Sequence, residues 1–166
     1  LRRLVELNNW LGRTLVADFE ILLLESGDQP PVAIGHRGED ADGITQLIQS
    51  YVDEGKLLAR TLGEIDELLP SLFVAVADDG EILGCAALEI YSPKLAEIRS
   101  LAVHEDHQGK GIGRGLVQRC VDLAVHRNVL EVMAITSADG FFQACGFDFT
   151  LPGEKKALFM QTRDEF

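Results

Sequence analysis

Long apolar runs are missing from this sequence, although 46% of its 166 residues are hydrophobic. A membrane-spanning helix needs about 20 consecutive, mostly apolar residues, so we expect no helical span and no binding to membranes. No signal-peptide pattern is visible where the sequence begins. The apolar residues that are present suffice for the core of one domain, which we expect to be cytoplasmic.

Cysteine is scarce, and the three that occur, Cys85, Cys120 and Cys145, are far apart in the sequence. An odd number cannot all pair, and none of the spacings is typical of a metal site. Each cysteine lies in a predicted strand or helix. We therefore expect small core residues in a reducing compartment and no metal ion.

Basic residues are also few, because 15 Lys and Arg face 27 Asp and Glu, which gives a formal net charge of -12. A nucleic-acid-binding surface or an anionic membrane would require the opposite sign. We therefore expect no nucleic-acid partner. The acidic balance would instead suit a cationic small molecule.

Residues 97–125 form the most informative stretch of the chain. The alternation over 97–103 predicts a strand. The glycine-rich turn Gln108–Gly113 follows it and opens a helix, whose apolar residues recur at helical spacing up to Val125. Glycines allow close approach of a ligand to the backbone, and the first amides of a helix have no internal partner. This turn therefore predicts an anion site, with Lys110 and Arg114 at its rim.

The remaining pattern predicts an α/β fold with a mixed sheet. Residues 1–31 are expected to be a helical extension or linker, although residues 21–24 suit a strand, and residues 32–166 to be the main domain. Asp40 is a candidate N-cap, Gly55 a helix stop, Thr61–Glu64 a capping box and Asp78–Glu81 a hairpin turn. The expected strands are 32–34, 72–77, 82–91, 97–103, 129–136, 147–151 and 157–162, and the other expected helices are 39–52, 61–70 and 139–145.

Two segments carry a resemblance to a known family. Gln108, Gly111 and Gly113, preceded by the Leu-Ala-Val run 101–103, match the pattern Gln/Arg-x-x-Gly-x-Gly/Ala. Downstream, Phe141–Phe147 is similar to the F-(Y/F)-x-x-x-G-F segment. In this order and spacing they resemble the GNAT family of N-acetyltransferases, over roughly residues 32–163. The resemblance implies a mostly antiparallel mixed sheet flanked by helices, with acetyl-CoA bound where the central strands splay apart.

The resemblance also implies roles for individual residues. The backbone amides of Leu101 and Val103 would face the pantetheine and the acetyl group, and Glu97 would be the general base. The alternative for Glu97 is a rim carboxylate paired with Arg99. Many family members have a tyrosine acid where this chain has Phe142, so we consider Ser137 as a proton relay. The implied acetyl-CoA contacts are Leu101, Ala102, Val103, Gln108, Gly109, Lys110, Gly111, Ile112, Gly113, Arg114 and Phe142.

Three further segments are similar to the family's amino-acid acetyltransferases that make N-acetylglutamate, the first step of arginine biosynthesis. They are residues 55–61, residues 96–99, and residues 151–156 followed by Arg163. The resemblance implies a small amino acid, L-glutamate, as the amine acceptor. Guanidinium groups match carboxylates bidentately, so its two carboxylates would be held by basic side chains. The candidates are Arg60, Arg99, Lys156 and Arg163.

Two alternatives remain at this point. The acceptor could be a cationic amine, such as a polyamine, an aminoglycoside or a protein N-terminus. The domain could instead bind CoA without catalysis, although the glutamate and the glycine-rich turn are both present. Family members are often dimers, so a homodimer is one expected assembly.

Overall fold

Among the described residues, six strands form one sheet in the order β1-β2-β3-β4-β5-β6. The computed structural model describes residues 22–24, 32–36, 41–149 and 160. The strands are β1 (Leu22–Leu24), β2 (Val32–His36), β3 (Leu72–Val76), β4 (Ile82–Ser92), β5 (Leu95–Val103) and β6 (Glu131–Met133). The helices are α1 (Ala41–Asp53), α2 (Leu62–Leu68), α3 (Ile112–His126) and α4 (Asp139–Ala144), with single 3-10 turns at Leu69–Ser71 and Glu105–His107.

The sheet is antiparallel except for the parallel pair β5 and β6. This confirms the predicted mixed, mostly antiparallel architecture. The strand suggested for residues 21–24 is also confirmed, since β1 pairs with β2. Three residues placed in the extension therefore belong to the sheet. The chain separates into two units, residues 1–135 and 136–166, and the sheet lies in the first.

Local sequence signals account for the boundaries of several elements. Gly80 (φ +97°) turns the chain between β3 and β4, where the Ala77 N–H donates to the Glu81 carbonyl at 2.9 Å. Gly55 (φ +69°) follows the end of α1. Thr61 and Glu64 form the predicted capping box, in which each side chain accepts a hydrogen bond from the other's backbone N–H. The turn and capping residues therefore predicted the boundaries of these elements correctly.

The two faces of the sheet are covered by different helices. Helix α1 packs Ile44, Leu47 and Ile48 on a face that includes Cys85 of β4. Successive strand residues point to opposite faces, and the neighbouring Gly84 accordingly meets α3. A Cβ on Gly84 would lie 3.1 Å from the Leu116 side chain and 2.9 Å from the Ala102 carbonyl oxygen. Only glycine fits this close approach between strand and helix.

The predicted role of the first two cysteines as small core residues is confirmed. Cys85 and Cys120 are buried and Cys145 is half-buried, and none forms a disulfide. Burial raises the pKa of the Cys85 thiol to about 12 and also raises the pKa of Cys120. Because the thiolate is the reactive form, both thiols are chemically quiet.

Strand β6 is shorter than predicted. The pattern over 129–136 suggested eight residues, whereas the strand covers Glu131–Met133. Its partner segment on β5 is only Leu95–Glu97, and the residues that follow are largely exposed and have no strand pairing. An apolar run predicts a strand only as far as a neighbour continues beside it.

The second unit contains α4, which ends one residue earlier than predicted. Within it the Phe142 ring meets Phe141 and Phe147 edge-on, with ring centroids 5.2 and 5.3 Å apart. Residues 147–149 are not in a strand. The rest of the two predicted closing strands lies outside the described residues, as do the N-terminal helix and Asp40. In the part of the chain that the structure describes, none of the helices is both long and apolar enough to span a membrane.

Candidate active site

The central strands diverge at one end of the sheet. Strands β5 and β6 pair from Leu95 opposite Glu131 to Glu97 opposite Met133, and β5 then continues to Val103. Within the described residues, the segment Ile98–Val103 has no partner on its β6 side. Backbone groups on this edge that make no other hydrogen bond are therefore available to a ligand that lies beside the strand. The predicted splay is confirmed.

A β-bulge lies in the same part of β5. The register changes from Cys85 opposite Ala102 to Ala87 opposite Arg99, so β5 carries one extra residue. Ser100 has φ +53°, a left-handed conformation that is uncommon outside glycine, and it is buried. Bulges redirect strands next to functional sites. Nothing in the sequence signals this bulge, because serine has no special preference for the conformation.

The glycine-rich turn leaves open space at the start of α3. Gly109 (φ +73°) and Gly111 (φ +86°) are left-handed, and a Cβ on either would meet no atom within 4 Å. Gly111 is the N-cap and supplies no side-chain hydrogen bond to the first amides of this 15-residue helix. Open space at a helix start of this kind is typical of an anion site, and a pyrophosphate held here with Lys110 and Arg114 beside it stays a prediction. Ile112 is buried in the core, so only its backbone could contact a ligand.

Gln108 joins this turn to the end of β5 and to α1. Its Nε2 donates to the Tyr51 hydroxyl at 2.8 Å and to the Val103 carbonyl at 3.2 Å. The Tyr51 hydroxyl itself donates to the Val103 carbonyl. Sequence reasoning missed Tyr51, because its position on the apolar face of α1 suggested only a core residue.

Glu97 is buried, with 8% of its surface exposed, and lies directly opposite Glu89 on β4. The Tyr91 hydroxyl donates to the Glu97 carboxylate, whereas Arg99 binds Glu89. The alternative that Glu97 is a rim carboxylate paired with Arg99 therefore does not match the geometry. Partial burial and the hydrogen bond to Glu97 raise the pKa of Tyr91 to about 12, so its hydroxyl stays protonated and acts as a donor.

Arg60 and Arg99, both predicted to bind the acceptor, line one cavity of about 390 Å³. Arg127, at the end of α3, lines it too and was missed, because a helix C-terminus usually ends in a basic residue for electrostatic reasons alone. Arg60 lies 3.8 Å from Glu64, and Arg99 is bound to Glu89. Among the residues that the structure describes, the lining is Arg60, Glu64, Glu67, Leu68, Pro70, Ser71, Leu88, Glu89, Ile90, Arg99, Leu123 and Arg127.

The remaining predicted residues belong to the second unit, residues 136–166. Ser137 is exposed and Phe142 buried in the second unit, and their roles stay predictions. Lys156 and Arg163 lie outside the described residues. Across the described ranges, no three His, Cys, Asp or Glu side chains converge as metal ligands would.

Comparison with known proteins gives a consistent result. The sequence model of the acetyltransferase (GNAT) family matches residues 43–147. An uncharacterized N-acetyltransferase of Chlorobaculum tepidum is 41% identical over 108 residues, which are 65% of this chain and 69% of that protein. The amino-acid acetyltransferase of Mycobacterium tuberculosis is 34% identical over 123 residues, which are 72% and 70% of the two chains.

Solved structures agree with the sequence matches. A Mycobacterium tuberculosis protein in complex with CoA has a TM-score of 0.67 and 30% identity, with 75% of this chain and 76% of that chain covered. N-acetylglutamate synthase from Neisseria gonorrhoeae, complexed with coenzyme A and N-acetyl-glutamate, has a TM-score of 0.62 and 27% identity. The match covers 68% of this chain but only 27% of that much longer one.

Proposed function

Because this chain belongs to the acetyltransferase (GNAT) family, we propose that it acetylates the amine of a small amino acid, with L-glutamate as the preferred acceptor. Acetyl-CoA is the cosubstrate, and the family activity is N-acetyl transfer. The observation that carries the proposal is the position of Glu97. Its buried carboxylate lies where β5 and β6 begin to diverge. Arg99, two residues further along β5, lines a cavity together with Arg60.

The proposed reaction uses the open edge of β5. The acceptor amine loses a proton to Glu97, directly or through a water, and its nitrogen forms a bond with the thioester carbonyl carbon. The backbone amides of Leu101 and Val103 would stabilise the charge that develops on the carbonyl oxygen. The carbon–sulfur bond then breaks. A thiol with a pKa of about 8.5 is a tolerable leaving group, and Ser137 is proposed to relay a proton to the thiolate.

The cavity supplies the proposed recognition of two carboxylates. Arg60 and Arg99 lie on its lining with glutamate partners, and an acceptor carboxylate would exchange with those partners. Lys156 and Arg163 are proposed to add to this set. Relatives named amino-acid acetyltransferase and a neighbour solved with N-acetyl-glutamate support the choice, which would put the product at the start of arginine biosynthesis. We propose residues 32–166 as the catalytic domain.

A cationic amine is the second candidate acceptor, and one observation favours it. Glu64, Glu67 and Glu89 line the same cavity as the arginines, and the chain as a whole carries a net charge of -12. An acceptor carboxylate would replace the glutamates as partners of the arginines, whereas a cationic amine would replace the arginines as partners of the glutamates. A CoA-binding domain without catalysis would not need a buried carboxylate beside the splayed strands.

An acceptor screen separates these candidates. With acetyl-CoA and detection of the released thiol, L-glutamate is expected to be the fastest acceptor. Glutamine should be poorer, because a neutral amide leaves a guanidinium unpaired. Faster acetylation of spermidine or a basic peptide would overturn the choice of glutamate and leave the family activity intact.

Replacing Arg60 with alanine should raise the KM for glutamate about tenfold, which corresponds to about 1.4 kcal/mol for the loss of a charge-assisted contact. The KM for acetyl-CoA should stay nearly the same. Arg119→Ala is the matched control. Arg119 is 11% exposed against 12% for Arg60, and both have a helical carboxylate at 3.8 Å, but Arg119 does not line the cavity. Equal effects of both variants on the glutamate KM would remove Arg60 from the acceptor site.

A further inference from the structure

Tyr91 links the buried carboxylate to the surface. Its hydroxyl donates to Glu97 and lies 3.4 Å from the Glu89 carboxylate. The tyrosine is 48% exposed, whereas Glu97 is 8% exposed. Tyr91 does not occupy the position of the tyrosine acid of related enzymes, which is Phe142 in this chain.

The backbone around Tyr91 is irregular in a way that affects this contact. The register of β4 and β5 changes between Ile90 opposite Ala96 and Ser92 opposite Leu95. Tyr91 is therefore the extra residue of a second β-bulge, on β4. Bulges are one way in which a strand re-aims a side chain near a functional site.

The charges on this face explain what the hydroxyl does. Glu89 and Glu97 are directly opposed on neighbouring strands, an arrangement that is unfavourable for like charges. Arg99, which shares their face, binds Glu89. Tyr91 gives Glu97 a neutral donor instead. The carboxylate therefore has an uncharged hydrogen-bond partner, whereas a guanidinium would hold it in a stronger, charge-assisted pair.

We propose that Tyr91 is a positioning residue for the general base: its hydroxyl orients the Glu97 carboxylate toward the acceptor amine and keeps it apart from Arg99. The inference rests on the proposed role of Glu97. Without the hydroxyl, the carboxylate can rotate toward Arg99, two residues along the same strand. The base is then held in the wrong orientation by a stronger partner.

Tyr91→Phe keeps the ring and removes only the hydroxyl. We expect kcat to fall about tenfold, with the KM for acetyl-CoA unchanged and thermal unfolding shifted by no more than a few degrees. If the Tyr91 side chain had only a structural role, the substitution would lower kcat equally with and without the Glu97 carboxylate. Acting through Glu97, the substitution should have no further effect on kcat in the Glu97→Gln variant, which a double-mutant cycle measures.

Tyr51→Phe is the matched comparison, because the Tyr51 hydroxyl also bonds within the site but to Gln108 and the Val103 carbonyl. Tyr51→Phe should raise the KM for acetyl-CoA. Its effect on kcat/KM should be the same in the wild-type and Glu97→Gln backgrounds. Wild-type kcat in Tyr91→Phe, or an equal loss in both backgrounds, would overturn the positioning role alone. Wild-type turnover in Glu97→Gln would overturn the proposed base and, with it, this inference.

Discussion

Replacing Glu97 with glutamine is expected to lower kcat by about 10²–10⁴, the usual contribution of a general base. Glutamine has nearly the same shape and can still accept the hydrogen bond from Tyr91, but it cannot take a proton from the acceptor amine. Affinity for acetyl-CoA should be retained, as measured by calorimetry. The deficit should shrink at high pH, where more of the amine is already neutral.

Glu89→Gln provides the comparison for this experiment. Glu89 lies directly across the strand pair from Glu97, so both variants remove one negative charge from the same face. Because Glu89 binds Arg99 and not the proposed reacting amine, its loss should lower kcat by about tenfold or less. If the Glu97 variant turns over like the wild type near neutral pH, the carboxylate is structural and the base must lie elsewhere.

Replacing Gly111 with aspartate is expected to weaken CoA binding by about 100-fold, equivalent to about 2.7 kcal/mol. The new carboxylate would lie at the start of α3, where the proposed pyrophosphate site requires unpaired amides and positive potential. A Cβ at this position meets nothing within 4 Å, so the effect should come from charge and from occupied space at the site. Calorimetric titration with CoA measures it.

Gly55→Asp controls for backbone strain. Gly55 is also left-handed (φ +69° against +86° for Gly111) and likewise has no atom within 4 Å of an added Cβ. Both substitutions should therefore cost similar stability, roughly 1 kcal/mol, which thermal unfolding reports. Only Gly111→Asp should affect CoA. Unchanged CoA affinity in a folded Gly111 variant would remove the turn from the cosubstrate site.

Local patterns in the sequence predicted much of this fold. The capping box at Thr61, the turn at Gly80 and the glycine-rich turn before α3 each depend on residues a few positions apart. The anion-binding geometry was predictable for the same reason, because glycines and a helix start suffice to define it. The family resemblance then indicated the role of β5.

The contacts within the site were less predictable, since they depend on pairings that the sequence does not encode locally. Tyr51 reaches Gln108 across 57 positions. Arg99 has acidic residues on both strands within reach, and only the three-dimensional arrangement selects Glu89 over Glu97. The two β-bulges in this strand pair occur at Ser100 and Tyr91, residue types that do not signal a bulge.

The bulge at Ser100 decides on which face of the sheet Glu97 and Arg99 lie. Ala102 packs on the α1 side, and strict alternation would give Ile98 and Ser100 that side too. The extra residue reverses the parity of the strand, so Arg99 and Glu97 share the face of Ala87 and Glu89. Deleting one residue of the bulge would restore strict alternation and move Glu97 and Arg99 to the opposite face of the sheet, which α3 covers. The face on which the proposed base lies is therefore determined by the number of residues in β5 as well as by their identity.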